Sequence, residues 1–211
     1  MKTKIFNLII LDESGSMCTI QKQAVDGVNE TLQTIAAAQK KYDNQEQFVT
    51  LVTFNGDAIH TLYQCMPIEQ VEQLSYDQYQ PNCATPLYDA MGQSLNGLRP
   101  KVAPDDRVLV TIVTDGEENA SREYKGTAIR ALVKELKDLG WVFVYIGANQ
   151  DVEKVAGEME IGNSLCFCAS VAGMQEMNHR VDSRRERFYE RVSRGLKDSV
   201  KENDSFFDDD F

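Results

Sequence analysis

Two near-continuous apolar runs, each of strand length and each leading to an aspartate, most constrain how this chain can fold. Residues 5–11 form the first run and are followed by Asp12. Residues 108–113 form the second run and are followed, after one residue, by Asp115. Such runs are typical of parallel strands that are covered on both faces. In open α/β sheets ligands bind beyond the carboxyl ends of the strands, so we expect Asp12 and Asp115 to meet at that edge.

Hydroxyl side chains accompany the two aspartates. The first run is followed by Asp-Glu-Ser-Gly-Ser, and a threonine stands before Pro86, which fits the first turn of a helix. We expect Gly15 to give the backbone the freedom that turns both serines inward. Carboxylate, hydroxyl and water oxygens are hard donors that suit Mg²⁺ or Mn²⁺, whereas zinc would require histidine and cysteine ligands. The sequence therefore predicts a Mg²⁺ or Mn²⁺ site with these ligands: Asp12, Ser14, Ser16, Thr85 and Asp115.

The predicted metal would retain an open position. Two aspartates balance the charge of a divalent cation, and the hydroxyl groups add no charge. Mg²⁺ prefers about six oxygen ligands and usually keeps some water molecules. We expect the carboxylate of a partner protein to replace one of these waters.

The motifs resemble a von Willebrand factor A (VWA) domain with a metal-ion-dependent adhesion site. The family pattern is Asp-x-Ser-x-Ser, then a distant threonine, then a distant aspartate, and this chain matches it at Asp12, Ser14, Ser16, Thr85 and Asp115. The resemblance implies a Rossmann-like doubly wound sheet and metal-dependent protein binding, generally without catalysis. It also implies a stand-alone bacterial module that acts as an adaptor.

The rest of the sequence predicts one α/β domain over residues 1–200. Its mostly parallel central sheet has one antiparallel edge strand, and helices cover both faces. A hairpin is predicted from residues 48–54 and 58–63, which flank Asn-Gly-Asp, and further strands from residues 141–146 and 165–169. Apolar residues at helical spacing predict three helices, with these core positions: Val25, Val28, Leu32 and Ile35; Leu87, Met91, Leu95 and Leu98; Ile129, Leu132, Val133 and Leu136.

Composition limits the classes of partner and the compartment. A formal net charge of −11 disfavours nucleic acid and anionic membranes as partners. The five cysteines form an odd number without a CxxC pair, which argues against a disulfide framework. No apolar stretch is long enough to cross a membrane, and the first run is too short for a secretory signal. We therefore expect a cytoplasmic protein.

Several charged residues outside the motifs are expected to face solvent. Glu117 and Glu118 follow Asp115 and are interpreted as solvated loop charges. Residues 180–194 contain six arginines among acidic residues, and their apolar positions have helical spacing. We interpret this segment as a docked amphipathic helix with a solvated face, supported by the pair Glu190 and Arg194. A dedicated anion-binding patch is the alternative.

The last residues form an acidic segment. Residues 201–211 are predicted to be a disordered tail, since blocks of like charge rarely pack. Its phenylalanines favour a contact with a partner protein. As an alternative, a tail carboxylate could complete the metal site of a neighbouring molecule. The residues proposed for a tail-mediated contact are Asp208, Asp209, Asp210 and Phe211.

Three functional classes follow from the sequence. The first is a metal-dependent protein-binding module without enzymatic activity. The second is an Mg²⁺-dependent hydrolase or phosphotransferase with Asp12 as nucleophile. Ser14 stands where such a phosphatase requires a second aspartate, and no GxxxxGK[ST] loop is present, which disfavours this class. The third is a structural subunit that does not use its metal site.

Overall fold

A six-stranded sheet forms the centre of the fold. The computed structural model describes residues 2–148, 151–167, 170–196 and 205–207. The strands are β1 (Thr3–Asp12), β2 (Gln45–Phe54), β3 (Ile59–Pro67), β4 (Arg107–Thr114), β5 (Val142–Ala148) and β6 (Asn163–Phe167). Their order across the sheet is β3-β2-β1-β4-β5-β6. Only β3 pairs antiparallel with its neighbour, whereas the other pairs are parallel.

Helices cover both faces of this sheet. They are α1 (Gln21–Lys41), α2 (Leu87–Leu98), α3 (Gly126–Asp138), α4 (Val152–Glu158) and α5 (Val171–Ser193). Successive side chains of a strand point to opposite faces, so β1 contributes to two hydrophobic clusters. Ile5, Ile9 and Leu11 pack with α1 and α5, whereas Phe6, Leu8 and Ile10 pack with α2, α3 and α4. The predicted doubly wound fold, with one antiparallel edge strand, is confirmed.

The connections between strands follow the local sequence. The predicted hairpin joins β2 to β3, and the side chain of Asn55 closes its turn by accepting hydrogen bonds from the backbone of Asp57 and Ala58. Helix α4 was not predicted. It lies between β5 and β6, because two neighbouring parallel strands require a crossover connection. The Asp151 side chain caps this helix by accepting a hydrogen bond from the Lys154 N–H.

The prediction that the charged side chains of residues 180–194 face solvent is wrong for Arg185. This side chain is fully buried beneath α5, against the centre of the sheet. Its guanidinium group donates to the Thr111 hydroxyl (2.8 Å) and to the Asn7 amide oxygen (3.5 Å). Its Nε lies 4.0 Å from a carboxylate oxygen of Asp182. The predicted pair between Glu190 and Arg194 is present, with oxygen and nitrogen 2.5 Å apart.

A polar network surrounds this buried arginine. The Tyr189 hydroxyl donates to Asn7 Oδ1 (2.6 Å), and Asn7 Nδ2 donates to the Gln47 side chain (2.9 Å). Gln47 donates to Gln45, whose own amide donates to the Tyr189 carbonyl (2.6 Å). The network connects β1 and β2 to α5. Asn7, a polar residue inside an apolar run, was the one sequence signal for it.

The only described residues of the acidic C-terminal segment, 205–207, pack against the domain. Phe206 is fully buried in the cluster beneath α5, and its N–H donates to Asn163 Oδ1 at 2.8 Å. The Arg180 guanidinium lies over the Phe207 ring, 5.5 Å from its centre. The residues proposed for a tail-mediated contact, Asp208 to Phe211, lie outside the described residues.

Two sequence expectations concern thiols and membranes. Cys18, Cys65, Cys83 and Cys166 are free thiols, and Cys168 lies outside the described residues. Within the described ranges, none of the helices is both long and apolar enough to cross a membrane.

Candidate metal centre

The five residues predicted as metal ligands lie together beyond the carboxyl ends of β1 and β4. Ser16 Oγ is 3.2 Å from Ser14 Oγ and donates to Asp115 Oδ1 at 2.5 Å. The Thr85 hydroxyl also lies beside this group, because it and the Ser16 hydroxyl are both next to Gly116. A Cβ on Gly116 would lie 3.0 Å from Thr85 Oγ1 and 3.5 Å from Ser16 Oγ. Two strands and the start of α2 thus bring two carboxylates and three hydroxyls to one place. Their binding of a metal stays a prediction.

Asp12 is fixed in position by three hydrogen bonds. Its side chain is fully buried. Oδ1 accepts from the Ser14 N–H (2.7 Å), and Oδ2 accepts from the Thr114 hydroxyl (2.5 Å). The Tyr79 hydroxyl donates to the Asp12 backbone carbonyl at 2.5 Å. Thr114 was missed by sequence reasoning, although its position directly before Asp115, on the strand next to β1, was a usable signal.

The expected role of Gly15 is wrong. The glycines with positive φ among the described residues are Gly140 and Gly195, so Gly15 does not need the left-handed region. Instead, Ser14 has extended backbone and stands directly before a short 3-10 helix, Gly15–Ile20. The Gly15 N–H donates to the Cys83 carbonyl at 3.0 Å. The entry into this short helix, rather than a glycine conformation, places Ser14 and Ser16 on the same side.

Thr85 is connected to the loop after β4 by a reciprocal pair of hydrogen bonds. Its N–H donates to Asn119 Oδ1 (2.8 Å), and the Asn119 N–H donates to the Thr85 carbonyl (3.1 Å). Within the described ranges, Thr85 Oγ1 has no hydrogen-bond partner. Asn119 therefore fixes the backbone at Thr85 and leaves the hydroxyl lone pairs open to a ligand.

The interpretation of Glu118 as a solvated loop charge is wrong. Its carboxylate accepts from the N–H groups of Tyr88 (2.9 Å), Ala120 (2.9 Å) and Ser121 (2.7 Å). It therefore satisfies a free N–H in the first turn of α2, where a negative charge is favourable. Glu117 is exposed, as expected.

A second carboxylate also attaches this loop to α2. Asp89, in the first turn of α2, is buried, and its two oxygens accept from the N–H groups of Arg122 (2.7 Å), Glu123 (2.9 Å) and Tyr124 (2.8 Å). The segment that contains Thr85 and the loop that follows Asp115 are consequently one hydrogen-bonded unit. Sequence reasoning missed Asp89 and Asn119, because their partners are more than thirty residues away along the chain.

Burial makes the two aspartates costly to ionise. It raises the pKa of Asp12 from 3.8 to about 6, despite hydrogen bonds from Thr114 and Ser14 that lower it; the charge of Asp115 adds to the rise. Burial also raises the pKa of Asp115, against a hydrogen bond from Ser16. A cation would relieve this cost, because it favours the charged form of both carboxylates.

The donor set fits a hard divalent cation. Carboxylate and hydroxyl oxygens are the ligands that Mg²⁺ and Mn²⁺ accept, with waters in the remaining positions. Nowhere in the described ranges, the candidate site included, is a group of three or more His, Cys, Asp or Glu side chains arranged to hold a metal ion. The candidate site has only two carboxylates, and its other ligands are three hydroxyls.

We expect Asn119→Leu to lower the affinity of this site for Mg²⁺ by about 10- to 100-fold, the usual effect of removing a residue that orients a ligand. Leucine has nearly the same shape but cannot accept the Thr85 N–H. Asn119→Asp keeps that acceptor and adds a negative charge, so it should bind Mg²⁺ at least as tightly as wild type. Calorimetric Mg²⁺ titration of the three proteins measures the effect. Equal affinity in wild type and Asn119→Leu would show that other contacts position Thr85.

Comparison with known proteins identifies the family. The von Willebrand factor type A domain profile matches residues 8–180, which is most of the chain. No curated protein is significantly similar in sequence.

Solved structures share the fold at low sequence identity. A von Willebrand factor type A structure from Catenulispora acidiphila has a TM-score of 0.61 and 14% identity, and the match covers 87% of this chain and 43% of that one. The vWF domain of the type V pili tip protein Mfa5 from Porphyromonas gingivalis has a TM-score of 0.59 and 8% identity, with coverages of 94% and 98%. The SpRpn10 VWA domain has a TM-score of 0.56 and 10% identity, with coverages of 81% and 92%. This chain therefore spans less than half of the Catenulispora structure but nearly all of the other two.

These identities show a shared fold alone, whereas the profile match covers most of the sequence. Together with the observed strand order, the match gives one conclusion: the chain belongs to the von Willebrand factor type A domain family.

Proposed function

We propose that this protein is a metal-dependent protein-binding module whose Mg²⁺ or Mn²⁺ ion recruits a carboxylate from a partner protein. Relatives in the family are adhesion and protein-interaction modules, which supports the general class. The finer proposal concerns the metal and its ligands. They are Asp12, Ser14, Ser16, Thr85 and Asp115.

The observation that carries this proposal is the convergence of two desolvated carboxylates with the Thr85 hydroxyl, which has no hydrogen-bond partner among the residues that the structure describes. Ser16 Oγ bridges Ser14 and Asp115, and Thr85 Oγ1 lies beside it. A divalent cation there would offset the repulsion between Asp12 and Asp115. Because these ligands do not fill six positions, water or a partner's carboxylate would complete the coordination.

The geometry disfavours the hydrolase or phosphotransferase alternative. A nucleophilic Asp12 would need an oxygen that a substrate can approach. Its side chain is fully buried, and each oxygen already accepts a hydrogen bond from Ser14 or Thr114. Ser16, by contrast, is exposed and marks the open side of the site. This arrangement suits recruitment of an external ligand better than attack by Asp12, and we propose that the protein is not an enzyme.

Calorimetric titration with Mg²⁺ and Mn²⁺ tests the proposal on wild type and Asp115→Ala. We expect the substitution to lower metal affinity at least 100-fold, since a unit charge a few ångströms away contributes about 4 kcal/mol at an effective dielectric constant of 20. Asp138→Ala is the control, because it removes an equal charge from an exposed residue in the last turn of α3.

Partner binding provides the second measurement. Capture of a partner by immobilised wild type should require Mg²⁺ or Mn²⁺ and fail with EDTA or with Asp115→Ala, while the circular dichroism spectrum is unchanged. Equal metal affinity in wild type and Asp115→Ala, or no binding in either, would contradict the metal-dependent function. The structural-subunit alternative would then remain.

A further inference from the structure

The segments around the candidate metal centre carry charge of one sign only. They are residues 12–19, 55–58, 80–86 and 115–119, and they contain no lysine, arginine or histidine; the next base in the loop after β4 is Arg122, whose N–H donates to Asp89 in α2. Their acidic residues are Asp12, Glu13, Asp57, Asp115, Glu117 and Glu118. A divalent cation would balance the negative charges of the two aspartate ligands, Asp12 and Asp115. The charges of the other acidic residues would have no basic residue in these segments to balance them.

The remaining four acidic residues divide into two pairs. Glu13 is buried and accepts the Gln80 N–H at 2.6 Å, and Glu118 accepts three backbone N–H groups at the start of α2. These two carboxylates are engaged with the backbone. Asp57 and Glu117 are exposed and available to a partner.

Asp57 and Glu117 approach the site from opposite sides. In the sheet, β1 lies between β2 and β4. Asp57 belongs to the turn after β2, and Glu117 to the loop after β4, whereas Asp12 ends β1 and two further predicted ligands, Ser14 and Ser16, follow it. A partner group that reaches the metal above β1 therefore has one exposed carboxylate on each flank.

Packing of the β2–β3 turn fixes Asp57 at this position. A Cβ on Gly56 would lie 2.9 Å from the Ala84 nitrogen, so the turn lies directly on the segment that contains Thr85. The Cys83 thiol donates to Asp57 Oδ2 at 3.1 Å. Asp57 is thus part of the surface around the metal centre.

We propose, resting on the proposed function, that the partner presents its metal-binding carboxylate between basic side chains. Lysine or arginine residues on either side of the partner's aspartate or glutamate would meet Asp57 and Glu117. An uninterrupted acidic segment would be repelled by the same two residues. The metal site would thus select for a carboxylate on the partner. Asp57 and Glu117 would select for basic residues next to that carboxylate in the partner's sequence.

Two peptides test this inference on the full chain at saturating Mg²⁺ and low salt. One is acetyl-Gly-Arg-Glu-Arg-Gly-amide, and the other has serine in place of both arginines. Dissociation constants are measured by NMR titration. We expect the arginine peptide to bind about three- to tenfold more tightly, the effect of two exposed charge pairs, and to lose this advantage in high salt. A third peptide with glutamine in place of glutamate should bind weakly, because it lacks the carboxylate for the metal.

Charge-reversal variants assign the preference to residues. Asp57→Lys combined with Glu117→Lys should remove or reverse the preference between the two glutamate peptides. Asp43→Lys combined with Asp138→Lys is the control, because it makes the same charge change at exposed residues on the opposite edge of the sheet. That variant should retain the preference.

The possible failures are distinguishable. Equal affinity of the two glutamate peptides for the Mg²⁺-loaded protein, or no binding of either peptide to it, would overturn the inference and leave the metal site intact. Absence of Mg²⁺ binding in the wild-type titration would overturn the proposed function, and this inference with it.

Discussion

Asp12→Asn should abolish Mg²⁺ binding and, at the same time, stabilise the metal-free protein at neutral pH. The folded protein binds a proton at Asp12 more tightly than the unfolded chain does, since burial raises the pKa from 3.8 to about 6. The contribution of Asp12 to the stability of the metal-free protein is therefore fully present below about pH 4 and is lost as the pH rises through about 6. One pKa unit corresponds to about 1.4 kcal/mol, so the charge costs on the order of 3 kcal/mol at pH 7.

Asparagine can keep both hydrogen bonds of the carboxylate with its oxygen and one of its two amide N–H groups. Its oxygen can accept the Ser14 N–H, and its amide can donate to Thr114 Oγ1. The threonine hydroxyl can then donate to the Gly116 carbonyl, which lies 3.1 Å away. We therefore expect a gain of about 1–3 kcal/mol in the free energy of unfolding at pH 7. The gain should disappear near pH 4, where the wild-type carboxyl is protonated.

Urea denaturation in EDTA at the two pH values measures this effect. Asp89→Asn is the matched control, because the Asp89 carboxylate accepts three backbone N–H groups that an amide nitrogen cannot satisfy. That substitution should destabilise the protein at pH 7. A loss of stability in metal-free Asp12→Asn would contradict the view that the buried charge is costly without a cation.

Arg185→Ala should destabilise the domain by about 3–5 kcal/mol, the usual cost of removing one member of a buried ionic group. The substitution leaves a large cavity beneath α5 and removes the donors to Thr111 and Asn7. Metal affinity should be unchanged, because Arg185 contacts the central strands and not the site loops. Urea denaturation and Mg²⁺ titration of the same samples separate the two effects.

Arg185→Met shows whether the charge or the volume matters. Methionine fills most of the space but leaves the largely buried Asp182 without its cation, so we expect a loss of about 1–3 kcal/mol, smaller than that of Arg185→Ala. A loss as large as that of Arg185→Ala would show that the hydrogen bonds to Asn7 and Thr111 provide the stabilisation.

Hydrophobic patterning was sufficient to predict the sheet and its two helical layers. The runs at residues 5–11 and 108–113 became the adjacent strands β1 and β4, because continuous apolar segments must be covered on both faces. The candidate ligands could be placed for the same reason, since Asp12 is the last residue of β1 and Asp115 lies just past the end of β4. Helix α4 was missed because it is short and has few apolar positions.

Two residues around the candidate ligands could not be predicted from the sequence, because Asn119 and Glu118 act through loop packing, which periodicity does not describe. Thr114, at the end of β4, could have been found from its position directly before Asp115. Glu118 has the composition of a solvated loop residue and becomes a helix cap only because the chain returns to α2. Arg185 was misinterpreted for a related reason: arginine is rarely buried, and its polar partners are on distant strands.

The packing of α5 and Phe206 affects where this domain can be cut for expression. The family match ends at residue 180, in the middle of α5. Several of the largest fully buried side chains lie after that point: Arg185, Phe188, Tyr189 and Phe206. A fragment that stopped at residue 180 would expose the sheet face that these residues cover. We therefore expect that a fragment has to extend through Phe206, beyond the end of the family match, to keep this core intact.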